Sequence, residues 1–235
     1  MIQYFHLTHP DLERLIAARE QSWVNKRIPC PITTEHAAGF ERIGPLDIDE
    51  FVVKHNRRDE QIICGWWDFL IHEGLLEEFA KEGFSGYLVK PATVRFRDSP
   101  TSTEYHEFIV TGWAGMASPE SGVRLLKSCP GCSRKEYSAI TNYEKVIDWT
   151  QWTGEDFFIV YPMAAYKLCT ERVAQWLLGH KVKSFHLEKG FAQRERDSIL
   201  SKYGFSAGRL SSYLPEDLAI KYGKPLRLET AVILT

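Results

Sequence analysis

Cys129-Pro130-Gly131-Cys132 is the stretch whose residue types and spacing point most directly to chemistry. Two thiols three positions apart, on a turn made by Pro and Gly, can both face one Zn²⁺, and backbone N–H groups in such a turn stabilise thiolates. A structural zinc takes four ligands, usually Cys or His, so the motif is half a site. Cys30 and His36 are the candidates for the other half, because they share a loop with no competing structural reason to be there. Cys64 lies between Ile63 and Gly65-Trp66, and Cys169 stands just before a predicted helix. Both settings suit a buried thiol better than a ligand, and His106 is a further alternative. A turn that carries no metal is the competing reading. Redox chemistry fits less well, because it expects the motif to open a helix after a strand. Here Ser133-Arg134-Lys135-Glu136-Tyr137 follows instead.

Other motifs do not assemble. Gly204-Phe205-Ser206-Ala207-Gly208 matches the nucleophile-elbow pattern, which needs a strand before the serine, a helix after it and a later histidine. No histidine follows His186, and Ser198 to Tyr203 reads as a helix that ends at Gly204. There is no phosphate-binding glycine loop and no paired-histidine zinc helix. Trp66 and Trp67 are adjacent, so on a strand one of them faces outward and is a candidate anchor for a protein partner.

The elements that must position the cysteines come from a chain of 235 residues, 44% hydrophobic and 26% charged. That composition is ordinary for a globular protein. With 29 basic and 31 acidic residues the net charge is -2, which argues against a bulk nucleic-acid binder or a membrane-surface binder. The longest apolar run, near Phe157 to Tyr166, is interrupted by Pro162 and is too short to span a bilayer. The first residues lack a basic stretch followed by an apolar core, so no signal peptide is expected. The cytoplasm is the expected compartment, and the odd count of five cysteines fits reduced thiols there.

Periodicity predicts helices from Pro10 to about Trp23, from Asp68 to Glu82, after Thr170, and from Pro215 to Tyr222. Strands are predicted at Asp49–Lys54, Tyr87–Val89, Thr93–Phe96, Glu104–Trp113, Asp156–Tyr161 and Val182–Leu187, with a last one at Thr230–Leu234. Two strand–helix–strand units emerge, Asp49–Val53 with a helix and Phe84–Val89, and Asp156–Val160 with a helix and Val182–Leu187. A constant offset of 98 relates Leu75 to Val173, Phe84 to Val182, Tyr87 to Phe185 and Val89 to Leu187, which suggests a weak internal duplication. Shared secondary structure alone is the competing explanation. The expected fold is α+β, with the two units around a mixed or antiparallel sheet and a zinc-knuckle-like loop. The expected organisation is one domain over 1–235, divisible into 1–100 and 101–190 with a helical extension at 191–235.

Three stretches also resemble a known family. They are Tyr105-His106-Glu107-Phe108 through Trp113-Ala114-Gly115, Ser121-Gly122-Val123 through Cys129-Pro130-Gly131-Cys132, and Trp152-Thr153-Gly154-Glu155-Asp156-Phe157-Phe158 through Thr170-Glu171-Arg172-Val173. They resemble the double-CXXCG-motif proteins, a bacterial family of multiple paralogues. Some of its members look like immunity proteins that neutralise toxins exchanged between sibling cells. The resemblance spans roughly residues 100 to 190. It implies a protein partner and two cysteine motifs sharing one zinc. The lack of an assembled catalytic motif also points to a binding protein, with a zinc-dependent or carboxylate-based enzyme and a structural or regulatory module as the alternatives. In this chain the second motif is followed by Ser133 where the family has glycine. The first is reduced to Cys30-Pro31 with His36 beyond it. The implied ligand set is Cys30, His36, Cys129 and Cys132.

Overall fold

Phe157-Phe158-Ile159-Val160-Tyr161 is apolar at every position, which suits a strand covered on both faces. All five side chains are buried in a strand at the centre of the molecule. The computed structural model describes residues 2–8, 15–17, 26–30, 32–33, 37–41, 50–53, 60–64, 69–96, 100–132, 134–182, 185–191, 204–226 and 228.

In chain order the first strands are β1 (Tyr4–Thr8), β2 (Leu15–Ala17), β3 (Lys26–Pro29), β4 (Ala37–Glu41), β5 (Glu50–Val53), β6 (Ile62–Cys64) and β7 (Phe69–His72). Helix α1 (Glu73–Lys81) follows, then β8 (Tyr87–Phe96), β9 (Thr101–Val110), β10 (Gly112–Met116), β11 (Leu125–Ser128) and β12 (Lys135–Tyr137). The remainder comprises β13 (Phe157–Tyr161), β14 (Leu168–Thr170), α2 (Glu171–Gly179), β15 (His186–Lys189), β16 (Phe205–Ala207) and α3 (Glu216–Gly223). The fold is α+β. Six strands form a sheet in the order β2-β5-β8-β9-β7-β6, five form β10-β13-β14-β1-β15, three form β11-β12-β16, and β3-β4 is a separate pair. Parallel pairs at β5–β8 and β10–β13 make the two larger sheets mixed.

Helix α1 begins where His72 Nδ1 accepts a hydrogen bond from the Gly74 N–H at 3.2 Å. It ends at Gly83, whose φ of 66° lets the Phe84 N–H return to the Phe79 carbonyl. Leu75 and Phe79 are its buried side. Helix α2 buries Val173, Ala174 and Leu177. Thr170 holds its N-cap position, but its hydroxyl bonds Asp156 Oδ1 rather than capping the helix. Leu178, next to the buried Leu177, is 65% exposed.

Other expectations change too. Leu15-Ile16-Ala17, read as part of a helix, is a strand antiparallel to β5. A short apolar run suits either state, and the available partner strand decides. The predicted helix from Asp68 starts only at Glu73, because Phe69–His72 pairs with β9 and β6. Pro91 does not break its strand. It lies opposite His106 in a stretch of β8 that, among the described residues, pairs only with β9, since β5 joins from Thr93 onward. A Pro missing its N–H is tolerated at such a position. In the C-terminal segment, Phe205–Ala207 is a strand antiparallel to β12. Ser206 therefore sits in mid-strand, which removes the nucleophile-elbow geometry. Trp66 and Trp67, the predicted helix at Ser198–Tyr203 and the predicted strand at Thr230–Leu234 lie outside the described residues.

The offset of 98 has a counterpart in three dimensions. Helix α1 spans Glu73–Lys81 and α2 spans Glu171–Gly179, each end shifted by 98 positions. The strands that lead directly into the helices are β7 and β14 rather than the expected Asp49–Val53 and Asp156–Val160. In both units one antiparallel strand separates the helix-flanking strands, β9 between β7 and β8 and β1 between β14 and β15. The registers also correspond. His72 faces Tyr105 as Thr170 faces Tyr4, and Val89 faces Phe108 as Leu187 faces Leu7. The middle strand obeys a different shift, 101 residues and in the opposite direction, which is why a linear reading does not find it.

The two units meet at Asp156. Its carboxylate accepts from the Ser85 N–H at 3.1 Å, the Ser85 hydroxyl at 3.2 Å and Arg172 Nη1 at 3.0 Å. Arg172 also donates to the Glu82 carbonyl at the end of α1. The C-terminal segment packs on the same body. Trp113 stacks on Tyr222 with centroids 5.4 Å apart, and the Tyr161 hydroxyl donates to the Gly208 carbonyl at 3.0 Å. The largest group of packed apolar side chains runs from Tyr4 to Leu228.

Candidate metal centre

Strands β11 and β12 form a hairpin whose tip carries the cysteine motif. Ser128 pairs with Lys135, and the Cys129 N–H donates to the Arg134 carbonyl at 2.8 Å, which closes the turn. That closure points Cys129 and Cys132 the same way. Cys30 comes from far along the chain, immediately after β3. Its Sγ lies 3.5 Å from Cys129 Sγ. The sulfurs of Cys30, Cys129 and Cys132 all lie within 4.8 Å of one another.

This donor set suits a thiophilic ion. Tetrahedral zinc with Zn–S bonds of about 2.3 Å holds its sulfurs about 3.8 Å apart. The Cys30–Cys129 pair at 3.5 Å is close to that, and all three sulfurs lie within 4.8 Å of one another. Cys30 and Cys132 are buried and Cys129 is half-buried, so solvent reaches the cluster from the Cys129 side. Burial, with a smaller contribution from the neighbouring Cys129 and Cys30 sulfurs, raises the Cys132 thiol to about 11 against the lowering effect of a backbone hydrogen bond from Arg134. An ion held here therefore displaces protons.

His36 lies outside the described residues. His106 is on β9, opposite Ile71 and Pro91, in a sheet separate from the cysteine hairpin. Cys64 and Cys169 are buried on β6 and β14, away from the cluster. Burial raises both thiols, and the charges of Glu60 and Asp156 respectively add to the effect. Among the described residues, no other group of three metal-ligating side chains comes together. The role of Arg134 was not anticipated from sequence. The signal for it is only that a residue two positions past Cys132 can close the turn. No helix among the described residues is long and apolar enough to cross a membrane. No family model matches the chain, and no curated protein sequence matches it.

Proposed function

We propose that this chain is a metal-stabilised binding protein, an immunity-like inhibitor that neutralises a bacterial toxin in the cytoplasm by covering it with a preformed surface. The metal is structural Zn²⁺, held by Cys30, Cys129, Cys132 and His36. One observation carries the metal part: three sulfurs from segments 99 residues apart converge at spacings that suit a thiolate-bound ion. His36 is favoured as the fourth ligand by its neighbours. Pro29, next to Cys30 in the chain, pairs with Ala37, next to His36. A site closed by four protein ligands leaves no open position for substrate, which favours a structural role over a catalytic one. The toxin-directed part rests on the sequence resemblance over residues 100 to 190.

Three measurements test this reading. Native mass spectrometry of protein purified without added metal is expected to show one zinc per chain, lost on adding a chelator. His36→Ala is expected to lower zinc affinity while Cys64→Ser leaves it unchanged. Deleting the gene is expected to sensitise cells to a toxin encoded nearby, with rescue by the wild-type chain. If no neighbouring toxin becomes harmful and nothing co-purifies with the protein, the inhibitor reading is wrong.

A further inference from the structure

We infer that the free edge of β11, beside the cysteine cluster, docks an extended, acidic and apolar segment of a partner protein by strand addition. The inference deepens the inhibitor reading and rests on it for the partner's biological role, but not for its chemistry.

Strand β11 ends its sheet, with β12 on one side and no strand on the other among the described residues. All four of its residues are exposed. Leu125 is 53% exposed and Leu126 is 59% exposed. Ile32, two residues past Cys30, is 62% exposed and stands on the segment whose cysteine touches Cys129. Three of the large exposed aliphatic side chains thus lie within four residues of a cluster cysteine. Exposed apolar residues gathered at one place mark an interaction site more often than scattered ones do. Leu126 falls at the irregularity in the β11–β12 register, between the paired Leu125 and Lys127, where a strand re-aims its side chains.

Charge selects the occupant. Residues 123–137 carry Arg124, Lys127, Arg134 and Lys135 against Glu136. Glu136 lies 3.6 Å from Lys127 and 3.9 Å from Arg134, and Lys135 is buried, so Arg124 and Lys127 are the exposed cations along β11. Of the chain's 29 basic and 31 acidic residues, that leaves 25 and 30 elsewhere. The hairpin is therefore a basic feature on an otherwise acidic protein. A second copy pairing antiparallel through β11 would bring Lys127 and Arg124 of both chains together, which disfavours self-association. An acidic strand with alternating aliphatic residues would meet complementary charge and apolar contacts together. Leu88 and Val89 on β8 are also exposed, but Pro91 blunts that strand as a docking edge.

The test uses the full zinc-loaded chain and two capped peptides, one alternating Glu and Val and the other alternating Lys and Val. Fluorescence anisotropy is expected to show the Glu peptide binding at least about tenfold tighter than the Lys peptide. Hydrogen–deuterium exchange is expected to show protection confined to residues 124–129. Leu126→Pro, which bars strand pairing, and Arg124→Glu with Lys127→Glu are each expected to weaken binding by about tenfold. Should Leu126→Pro disturb folding, the charge-reversed variant still decides. Equal affinity for both peptides, protection elsewhere, or concentration-dependent dimerisation through β11 would overturn the proposal. Protection of cells against a toxin is a separate readout. Its loss in the charge-reversed variant links the edge to that role. If the wild-type chain gives no protection but the peptide docks, the inhibitor reading fails and the docking edge stands.

Discussion

The three clustered cysteines differ in what each can do. Cys129 is the half-buried member, whereas Cys64 and Cys169 are sealed in the core with raised thiol pKa values. In chelated protein, iodoacetamide is expected to modify Cys129 first and to leave Cys64 and Cys169 unmodified until the chain unfolds, as peptide mapping would show. Uniform labelling of all five would contradict the burial pattern. The raised Cys132 thiol sets a pH dependence. Its proton stays on in the metal-free protein at neutral pH, so an incoming ion must displace it. Zinc or cobalt affinity is therefore expected to rise with pH between about 6 and 8, readable by competition with a coloured chelator. Without metal the sign reverses. A thiol held at about 11, against an ordinary value of 9.0, favours the folded state while protonated. That contribution is complete below pH 9 and lost as pH rises towards 11. Cys132→Ser is expected to weaken zinc binding and to remove the stability loss between pH 9 and 11 in the metal-free protein. The cysteine pair at 129 and 132 was legible in the sequence because its spacing is local. Cys30 was legible only as a candidate, since spacing cannot report a contact across 99 residues.

At the scale of elements, the joint between the strand–helix–strand units depends on small groups. Gly86 has φ of 86°, and a Cβ there would sit 2.1 Å from the Phe157 carbonyl oxygen. The same glycine's carbonyl accepts from the Thr111 and Gly112 N–H groups. Gly86→Ala must move backbone, so it is expected to destabilise by about 2 kcal/mol or more, measured as a lowered urea midpoint. Asp156→Ala leaves the Ser85 N–H without its acceptor and frees Arg172, and the expected loss is about 2–3 kcal/mol. Arg172→Lys should cost less, because it keeps the charge while losing the forked geometry. If Asp156→Ala unfolds at the wild-type midpoint, the carboxylate is not the joint described here. Strongly patterned elements such as Phe157–Tyr161 and the two helices were readable from the sequence, since burial repeats with their own period. Leu15–Ala17 and Phe69–His72 were not. Each is a short run whose state is set by the strand beside it.

Across the whole molecule, the cysteine cluster ties the Cys30 segment to the β11–β12 hairpin, while the main core is built from other residues. Chelation is therefore expected to leave the far-ultraviolet circular dichroism nearly unchanged. Hydrogen exchange should accelerate around residues 26–41 and 125–137. Global unfolding on chelation would mean that the metal holds the core itself. The sequence alone determined the α+β class, the apolar strands, the helix periods, the cysteine turn and the offset of 98, because each depends on residues close together in the chain. Only the tertiary structure decided which cysteine joins the turn and which strand lies between the two arms of each unit. It also revealed that, among the described residues, β11 has a strand on only one side. Those features depend on which distant surfaces find each other, and local periodicity carries no record of that.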